Sequence, residues 1–504
     1  MQKTVVVMMA IMLIGKAMGI LRDRMQSTYF GAVTAESIAF TQASLLPRTF
    51  LDVMFAAAFS ASFIPVFSTY METKGKKAAY DLAALFISVV LILTTIVTVL
   101  GIVFARQIFI LSLDYDYTSS ETITLGTELL RLMFPLMIFT GLAFSFTGML
   151  QSLGEFRIPA AMSVVSNGII LIYYFFFIDY FGVHGLVVAF LLGWLAQGLI
   201  QIPFLIKHKF RFRFRINFKD SGLRQIGALA LPVMASSWVI PVNLMVNIRA
   251  SSNLYGGEFG VPAINFSHSL FAIVSGVFVL SLANVVFPKL SRHVANNEKD
   301  EFNDTINETV RVLFFFLLPL GLGLMALSQP LISFIYGGGE FCDTAVQITA
   351  TALFYYAIGI LGYGLLIVLS RACYAKMDGR TPIIAAIVAI GSNAILSFIL
   401  APHMNIAGPA LAGAIGQTLG AGVLVFALIR KDIIKLSKVL IIDFGKVIIL
   451  AGLMFFVVSQ TMGFFNNVLL QLIIPTTIGG ILYLGLALLL KINEIQWLLK
   501  IFKK

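Results

Sequence analysis

The sequence has 504 residues, of which 59% are hydrophobic and only 12% are charged, and its mean hydropathy is +0.95. A soluble globular protein carries about 25% charged residues, so this composition excludes that class and indicates an integral membrane protein. Apolar runs of about 20 residues, which a helix needs to cross a bilayer, recur along the whole chain. They predict an all-α fold rather than a membrane barrel, whose strands would give short alternating segments.

Taken in chain order, these runs predict fourteen transmembrane helices. The predicted spans are Val5–Thr28, Ile38–Tyr70, Leu82–Ala105, Leu129–Leu150, Pro159–Phe181, Gly185–Ile206, Ile226–Ile248, Ile264–Pro288, Val310–Tyr336, Ala345–Ala372, Pro382–Ala401, Ala407–Ile429, Val447–Met462 and Val468–Leu490.

Basic residues concentrate in the loops after spans two, six, eight and twelve, whereas acidic residues occupy the alternate loops. The positive-inside rule then predicts that both termini are cytoplasmic. This distribution also accounts for the net charge of +11 without a nucleic-acid partner. The basic run after span six alternates with Phe210, Phe212 and Phe214, and it predicts a segment that lies against anionic lipid headgroups rather than an RNA-binding patch.

An internal repeat relates the first six spans to the next six. Pro65 recurs as Pro288, and Pro159 recurs as Pro382, at the same spacing (288 − 65 = 223). Glycines and an alanine of spans six and twelve keep this register. The repeat predicts two pseudo-symmetric six-helix lobes around a central cleft, with two further helices at the C-terminus. The predicted divisions are 1–206 (first lobe), 207–225 (basic cytoplasmic linker), 226–430 (second lobe) and 431–504 (spans thirteen and fourteen with a tail).

No catalytic motif is present in the sequence. It has no Gly-rich phosphate loop, no HExxH, no C-x-x-C pair and no nucleophile elbow, so we expect a transporter rather than an enzyme, with no cofactor. Without an ATP site, transport would depend on an ion gradient, with sodium or protons as the coupling ion, on the membrane potential or on the cargo's own gradient.

Charges inside the first span mark the first candidate site. Lys16, Arg22, Asp23 and Arg24 lie in or beside an apolar run, where each charge costs roughly 2.5–3.5 kcal/mol. Lys16 and Asp23 are seven residues apart and share a helical face. We expect these residues to contact an anionic group such as a pyrophosphate. The alternative is that Arg22, Asp23 and Arg24 form an interfacial anchor at the end of the span.

Span two adds the pair Arg48 and Asp52, one helical turn apart. Either the pair contributes to the cavity, with Arg48 adding a positive charge for the cargo and Asp52 tuning it or binding a coupling cation, or it is a structural salt bridge.

Later spans carry polar candidates. Asn243 and Asn247 in span seven and Asn393 in span eleven predict either a cation site or hydrogen bonds between helices. The other candidates for the same cavity are Arg249, His268 and Ser269; for His268 the alternative is a hydrogen-bonded structural role.

Short motifs in order along the chain resemble the MurJ (MviN) lipid II flippases. The motifs are Gly19, Arg22-Asp23, Phe30-Gly31-Ala32, Phe63-Ile64-Pro65, Ser275-Gly276-Val277, Phe287-Pro288, Tyr374-Ala375, Asp378 and Thr381-Pro382. The resemblance covers the whole chain and implies the fold of the multidrug/oligosaccharidyl-lipid/polysaccharide exporter superfamily. It implies transfer of undecaprenyl-pyrophosphate-linked peptidoglycan precursor from the cytoplasmic to the outer leaflet of a bacterial plasma membrane by alternating access.

The resemblance carries the family's cavity arginines onto Arg22 directly and onto Lys16 by charge. In span two, Arg48 follows Pro47, and Asp52 stands near the position where the family has an arginine. Ser269, beside His268, replaces the arginine at the start of span eight, and span seven lacks the acidic member of the family's sodium site. The implied partners are the lipid-linked cargo and membrane lipids.

Three alternatives remain. The chain could move another polyprenyl-linked oligosaccharide, or act as a cation-coupled multidrug exporter, although mostly positive cavity charges disfavour cationic cargo. From a different class, it could be a non-transporting scaffold that recruits cell-wall synthesis enzymes.

Overall fold

The computed structural model describes residues 2–114, 116, 118–237, 239–434, 438–490, 492 and 494. Within these residues, the side chains of 2–10, 48–61, 231–233, 235–237, 256, 284, 288, 295 and 438–441 lie outside the description. The described residues form α-helices, one short 3₁₀ turn (Leu254–Gly257) and an isolated bridge between Gly338 and Phe341, with no strand among them. The predicted all-α membrane class is confirmed.

Within the described residues, twenty α-helices follow one another in chain order. They are α1 (Gln2–Phe30), α2 (Ala35–Thr73), α3 (Gly75–Val103), α4 (Ala105–Ser112), α5 (Ser120–Met133), α6 (Leu136–Ser152), α7 (Arg157–Phe176), α8 (Ile178–Leu199), α9 (Ile202–Lys207), α10 (Ser221–Ser237), α11 (Val239–Ser251), α12 (Gly260–Ala295), α13 (Lys299–Ala326), α14 (Ser328–Tyr336), α15 (Asp343–Ile358), α16 (Ile360–Ala375), α17 (Arg380–Met404), α18 (Ala407–Arg430), α19 (Lys438–Met462) and α20 (Val468–Leu489).

Several helices begin where a polar side chain satisfies their first backbone donors. Thr34 accepts a hydrogen bond from the Ser37 amide at the start of α2, and Ser119 does the same for Thr122 at the start of α5. Such caps fix helix starts that hydropathy alone does not show. Among the described residues, ten helical stretches are long and apolar enough to cross a membrane, and the bent pair α15 and α16 makes an eleventh. The count of fourteen stays a prediction.

The helices form two compact units, Met1–Pro241 and Val242–Lys504. The division falls inside the seventh predicted span, and α10 belongs to the first unit. There α10 packs on α2 and α3: Ile226 is buried in their core, and the hydroxyls of Ser221 and Tyr70 are 3.2 Å apart. In the second unit α19 and α20 pack on α13, where the Tyr483 hydroxyl donates to the Phe315 carbonyl at 2.7 Å.

The predicted repeat recurs in the helix boundaries of the two units. α5 and α15 begin 223 residues apart (343 − 120 = 223), and the starts of α7 and α17 are separated by the same number. The interruptions at Phe104 and Leu327, where α3 gives way to α4 and α13 to α14, also keep this spacing. The repeat therefore extends from residue types to the positions where the helices begin and break.

The turn between α16 and α17 is tied to the end of α18. Asp378 accepts hydrogen bonds from the Lys431 ammonium at 2.6 Å and from the Thr381 hydroxyl at 2.6 Å. Partial burial on its own would raise the pKa of Asp378, but these hydrogen bonds outweigh it and lower the pKa to about 2. The carboxylate is therefore charged at neutral pH and holds the turn against α18.

Candidate functional site

The candidate site in the first unit starts from a close contact between α1 and α7. Gly15 and Gly19 are one helical turn apart on α1, and small residues at this spacing let helices approach closely in membranes. A Cβ at Gly15 would lie 3.1 Å from the Ser163 hydroxyl oxygen, and one at Gly19 would lie 3.6 Å from the Asn167 amide nitrogen. The two glycines thus bring a polar stripe of α7 against the charged stretch of α1.

Asn167 links the two helices and is 5% exposed. Its Nδ2 donates to the Gly15 carbonyl at 3.1 Å and to the Ser163 hydroxyl at 3.2 Å. Its Oδ1 accepts from Nη1 of Arg22 at 3.0 Å. Both ends of the amide are used, so the direction of the Arg22 hydrogen bond is set by the two donations to α1 and α7.

The Arg22 guanidinium is held on three sides. Nη2 and Nε donate to one carboxylate oxygen of Asp23, at 2.6 and 3.0 Å. The Phe190 ring of α8 lies under the guanidinium, with its centroid 5.6 Å from Cζ. The side chains of Arg22 and Asp23 are only 17% and 10% exposed. This is a largely buried ion pair, and it is oriented by an amide and an aromatic ring.

The other predicted charges of the first unit are placed differently. Lys16 is on the exposed side of α1, and Arg24 is half-buried. The structure therefore brings Arg22 and Asp23 together and leaves Lys16, about two helical turns earlier on α1, exposed. The side chains of Arg48 and Asp52 lie outside the described residues.

In the second unit, two of the three predicted asparagines join one buried hydrogen-bond network. The Ser397 hydroxyl lies 3.0 Å from Oδ1 of Asn247 and 3.2 Å from Oδ1 of Asn393. Nδ2 of Asn247 is 2.9 Å from the Tyr356 hydroxyl. Nδ2 of Asn393 donates to the backbone carbonyl of Asn243 at 3.2 Å. The network connects α11, α15 and α17 without a charged group among these residues.

Asn243 contributes its backbone to this network but not its side chain. The side chain is buried, and neither amide atom has a hydrogen-bond partner. His268 reaches the same network through Tyr356, since the two ring centroids are 5.6 Å apart at a steep angle. Arg249 and Ser269 are half-buried on α11 and α12.

The donor set around Asn243 is a weak one for a metal ion. Sodium and divalent cations bind oxygen ligands, and carboxylates usually supply part of the charge. Here the oxygens of Asn247 and Asn393 face the Ser397 hydroxyl, and the network has no carboxylate. Within the described part of the chain, no three His, Cys, Asp or Glu residues gather as a metal site.

Sequence reasoning missed four residues that shape these clusters: Asn167, Phe190, Tyr356 and Ser397. Two of them had a signal. The glycines at 15 and 19 indicate a close helix partner for span one, and Ser397 stands one helical turn after Asn393 on the same face. Phe190 and Tyr356 could not be recognised, since aromatic residues are common throughout the apolar spans.

Comparison with known proteins gives one consistent result. A family model described as lipid II flippase MurJ matches residues 26–478. A probable lipid II flippase MurJ of Buchnera aphidicola subsp. Schizaphis graminum is 28% identical over 98% of this chain and 97% of its own length. The lipid II flippase MurJ of Burkholderia cenocepacia is 25% identical over 88% of this chain and 87% of its own.

Comparison with solved structures gives the same family as the sequence comparisons. A structure of lipid II flippase MurJ in an inward closed conformation aligns with a TM-score of 0.82 and 26% identity, covering 97% of this chain and all of that one. An inward-facing multidrug transporter of the MATE family, in the MOP superfamily, aligns with a TM-score of 0.72 and 15% identity over 85% of this chain and 98% of its own. The second likeness concerns the fold alone.

Proposed function

The chain belongs to the MurJ family of lipid II flippases, and from this membership we propose that it moves undecaprenyl-pyrophosphate-linked peptidoglycan precursor between membrane leaflets by alternating access. Membership over nearly the whole chain is the observation that carries the proposal. The direction of transfer is from the cytoplasmic to the outer leaflet of a bacterial plasma membrane, with both termini in the cytoplasm. The protein acts as a transporter and not as an enzyme.

Arg22 is the proposed contact for the cargo's pyrophosphate. Its guanidinium is planar and presents paired N–H donors, which suit a phosphate better than a single ammonium does. Asn167 and Phe190 fix its position, so little side-chain entropy is lost when an anion binds. Lys16, Arg24, Arg48 and Arg249 are proposed to add positive charge along the cargo's path, with Asp52, His268 and Ser269 as further polar contacts.

Asp23 is proposed to act as a removable counter-ion. A buried guanidinium without a partner would be costly, and it would also hold a pyrophosphate so tightly that release would be slow. The Asp23 carboxylate accepts the Nε and Nη2 donors, which are the ones a phosphate oxygen would accept. Arg22 would then be paired with Asp23 when the site is empty and with the pyrophosphate when cargo is bound.

The energy source is proposed to be an ion gradient or the membrane potential. For sodium, the proposed ligands are the oxygens of Asn243, Asn247 and Asn393. The buried Asn243 amide supports this because neither of its atoms has another partner, but the absence of a carboxylate weakens it. Transport that is unaffected by replacing sodium with another monovalent cation would favour protons or the membrane potential.

Genetic rescue tests the proposal. Cells depleted of their own lipid II flippase should grow when this chain is expressed, and Arg22→Ala should abolish rescue at equal membrane abundance. Since Arg22→Ala also removes the two Arg22 hydrogen bonds to the buried Asp23 carboxylate, Arg22→Lys provides a second variant that keeps the charge but loses the paired donors. Arg106→Ala, which changes an exposed arginine of α4, is the matched control.

The alternatives give different results. No rescue by the unaltered chain, together with rescue of a strain that lacks another polyprenyl-oligosaccharide flippase, would reassign the cargo. Full rescue by both Arg22 variants and by Lys16→Ala would exclude anion binding at this site and favour a scaffold for cell-wall enzymes.

A further inference from the structure

The segment that joins α9 to α10 carries an alternating pattern of basic and apolar residues that the proposed function does not use. We define the linker segment as residues 208–219. It holds five basic residues (Lys209, Arg211, Arg213, Arg215 and Lys219), no acidic residue, and an apolar side chain at every even position from 210 to 218. It has no helical or strand structure.

The linker segment is docked on α3 at two points, its start and Arg215. At its start, the Tyr80 hydroxyl donates to the His208 carbonyl at 2.8 Å, and the buried Phe210 ring packs edge-on against Tyr80. At the second point, the Arg215 guanidinium pairs with Asp81 at 3.1 Å, and the Arg215 amide donates to the Ser88 hydroxyl at 3.0 Å. The linker segment therefore lies as an ordered strap on the surface of the first unit, and the strap denotes these same residues, 208–219.

The contacts on α3 indicate how deep in the membrane the strap lies. Asp81 is the last charged residue of α3, and the helix is free of charge from Leu82 to Val103. Ser88 is six residues beyond Leu82, which is roughly 9 Å along a helix axis. The Arg215 guanidinium therefore lies where the apolar part of α3 begins, and the Arg215 backbone lies roughly 9 Å further along it. The segment thus crosses the level at which headgroups give way to acyl chains.

Three aromatic side chains of the strap are unburied at this level. Phe212, Phe214 and Phe218 are 44%, 59% and 61% exposed. Arg211 and Arg213 alternate with them and are exposed as well. Aromatic rings beside basic residues at the edge of an apolar surface match a bilayer boundary, where the rings meet acyl chains and the cations meet phosphates.

We infer that the linker segment is a binding surface for anionic phospholipid headgroups, which seats its phenylalanines in the membrane boundary. The strap carries basic residues and no acidic ones, so its charge is complementary to anionic headgroups. Each basic residue near an anionic surface contributes roughly 1 kcal/mol to binding. Arg215 is occupied by Asp81, so the remaining exposed basic residues bind lipid, with Arg211 and Arg213, which stand between the exposed phenylalanines, as the central contacts. The inference concerns the surrounding membrane and does not depend on which cargo is moved.

A spin label measures the insertion directly. Phe214→Cys would carry a nitroxide in a background with Cys342→Ser and Cys373→Ser, in nanodiscs of phosphatidylcholine with or without phosphatidylglycerol. We expect phosphatidylglycerol to raise the label's collisions with dissolved oxygen and to lower its collisions with a water-soluble nickel complex. A label at Met377, which is 91% exposed in the turn after α16, is expected to stay in water in both lipids.

A charge variant tests the headgroup contact. Arg211→Gln with Arg213→Gln should weaken the binding of phosphatidylglycerol about 30-fold in a titration of mixed micelles, since two contributions of roughly 1 kcal/mol are lost. The matched control, Lys289→Gln with Arg292→Gln, removes the same charge from exposed residues of α12 and should change this value less than threefold.

Three results would overturn the inference. The label at 214 could show the same depth in both lipids, or the control pair could weaken binding as much as the strap pair. The label could also respond to undecaprenyl pyrophosphate and not to phosphatidylglycerol, which would make the strap a cargo surface. Loss of flipping in Arg22→Ala would leave the label's response intact, so failure of the proposed function is separable from failure of this one.

Discussion

Asp23→Asn should make the protein bind pyrophosphate more tightly and release it more slowly. The Asp23 carboxylate accepts two hydrogen bonds from Arg22, one of them 2.6 Å long, in a pair that is largely buried. A hydrogen bond to a charged group contributes about 1.5–3 kcal/mol net, and the pair must be broken before a phosphate can take those donors. Removing Asp23 also removes a negative charge that repels the ligand. Both effects make Asp23→Asn bind pyrophosphate more tightly.

A gain of about 2 kcal/mol corresponds to roughly 30-fold tighter binding. The assay is calorimetric titration of the purified protein in neutral detergent with a water-soluble short-chain prenyl pyrophosphate. Asp179→Asn, at the exposed start of α8, removes the same charge elsewhere and should leave the dissociation constant within twofold. The exchange mechanism predicts that Asp23→Asn lowers the rate of flipping in reconstituted vesicles in spite of its higher affinity. Unchanged or weaker binding in Asp23→Asn would refute the counter-ion role.

Three further predictions concern stability. Tyr483→Phe removes the hydrogen bond to the Phe315 carbonyl. It should lower the unfolding free energy in mixed micelles by about 0.6–1.7 kcal/mol, the range for hydrogen bonds within membranes. An unchanged unfolding free energy would mean that packing alone holds α20 in place. Gly416→Leu should prevent folding, because a Cβ there would lie 2.6 Å from the Ala389 carbonyl, whereas Gly422→Leu, with open space around it, should elute normally in size-exclusion chromatography. Asp378 has an ordinary pKa of 3.8 and a pKa of about 2 in the folded protein, so its contribution is complete above about pH 5 and is lost as the pH falls through 3.8 towards 2. Thermal unfolding of Asp378→Asn should therefore be less pH-dependent in that range, and an identical pH profile would contradict the assignment.

The sequence was sufficient to predict the helices that lie in apolar runs, but not where they begin and break. Span four was expected to begin at Leu129, but α5 begins at Ser120, because Ser119 caps a polar first turn that a hydropathy window does not count. Span nine was expected to be continuous, and it breaks at Leu327. Hydropathy measures transfer to lipid, whereas helix ends and breaks depend on local hydrogen bonding.

The sequence indicates a candidate side chain where placing it in an apolar span costs free energy. Arg22 and Asp23 could be selected because charges in an apolar span require a reason. The glycines at 15 and 19 indicate that span one has a close helix partner, but they do not specify that α7 is this partner or that Asn167 is the residue in contact. Lys16 and Asp23 are predicted to share a face, and residues seven apart do lie within about 20° of each other around an α-helix. They are about 10 Å apart along its axis, however, and only Asp23 is buried.

The two units share a close helix contact but differ in the polar residues beside it. A Cβ at Gly193 would lie 3.0 Å from the Ser166 carbonyl, and one at Gly416 would lie 2.6 Å from the Ala389 carbonyl, so the same close helix contact recurs 223 residues later (416 − 193 = 223). Beside that contact the first unit buries an ion pair, and the second buries neutral amides and hydroxyls. A close backbone contact tolerates only glycine, whereas the polar residues beside it are constrained only by the need for partners. An anionic cargo needs positive charge, and only the first of these two clusters supplies it. The pyrophosphate should therefore bind the first unit, and neutral substitutions in the second, such as Ser397→Ala, should change stability without changing pyrophosphate affinity.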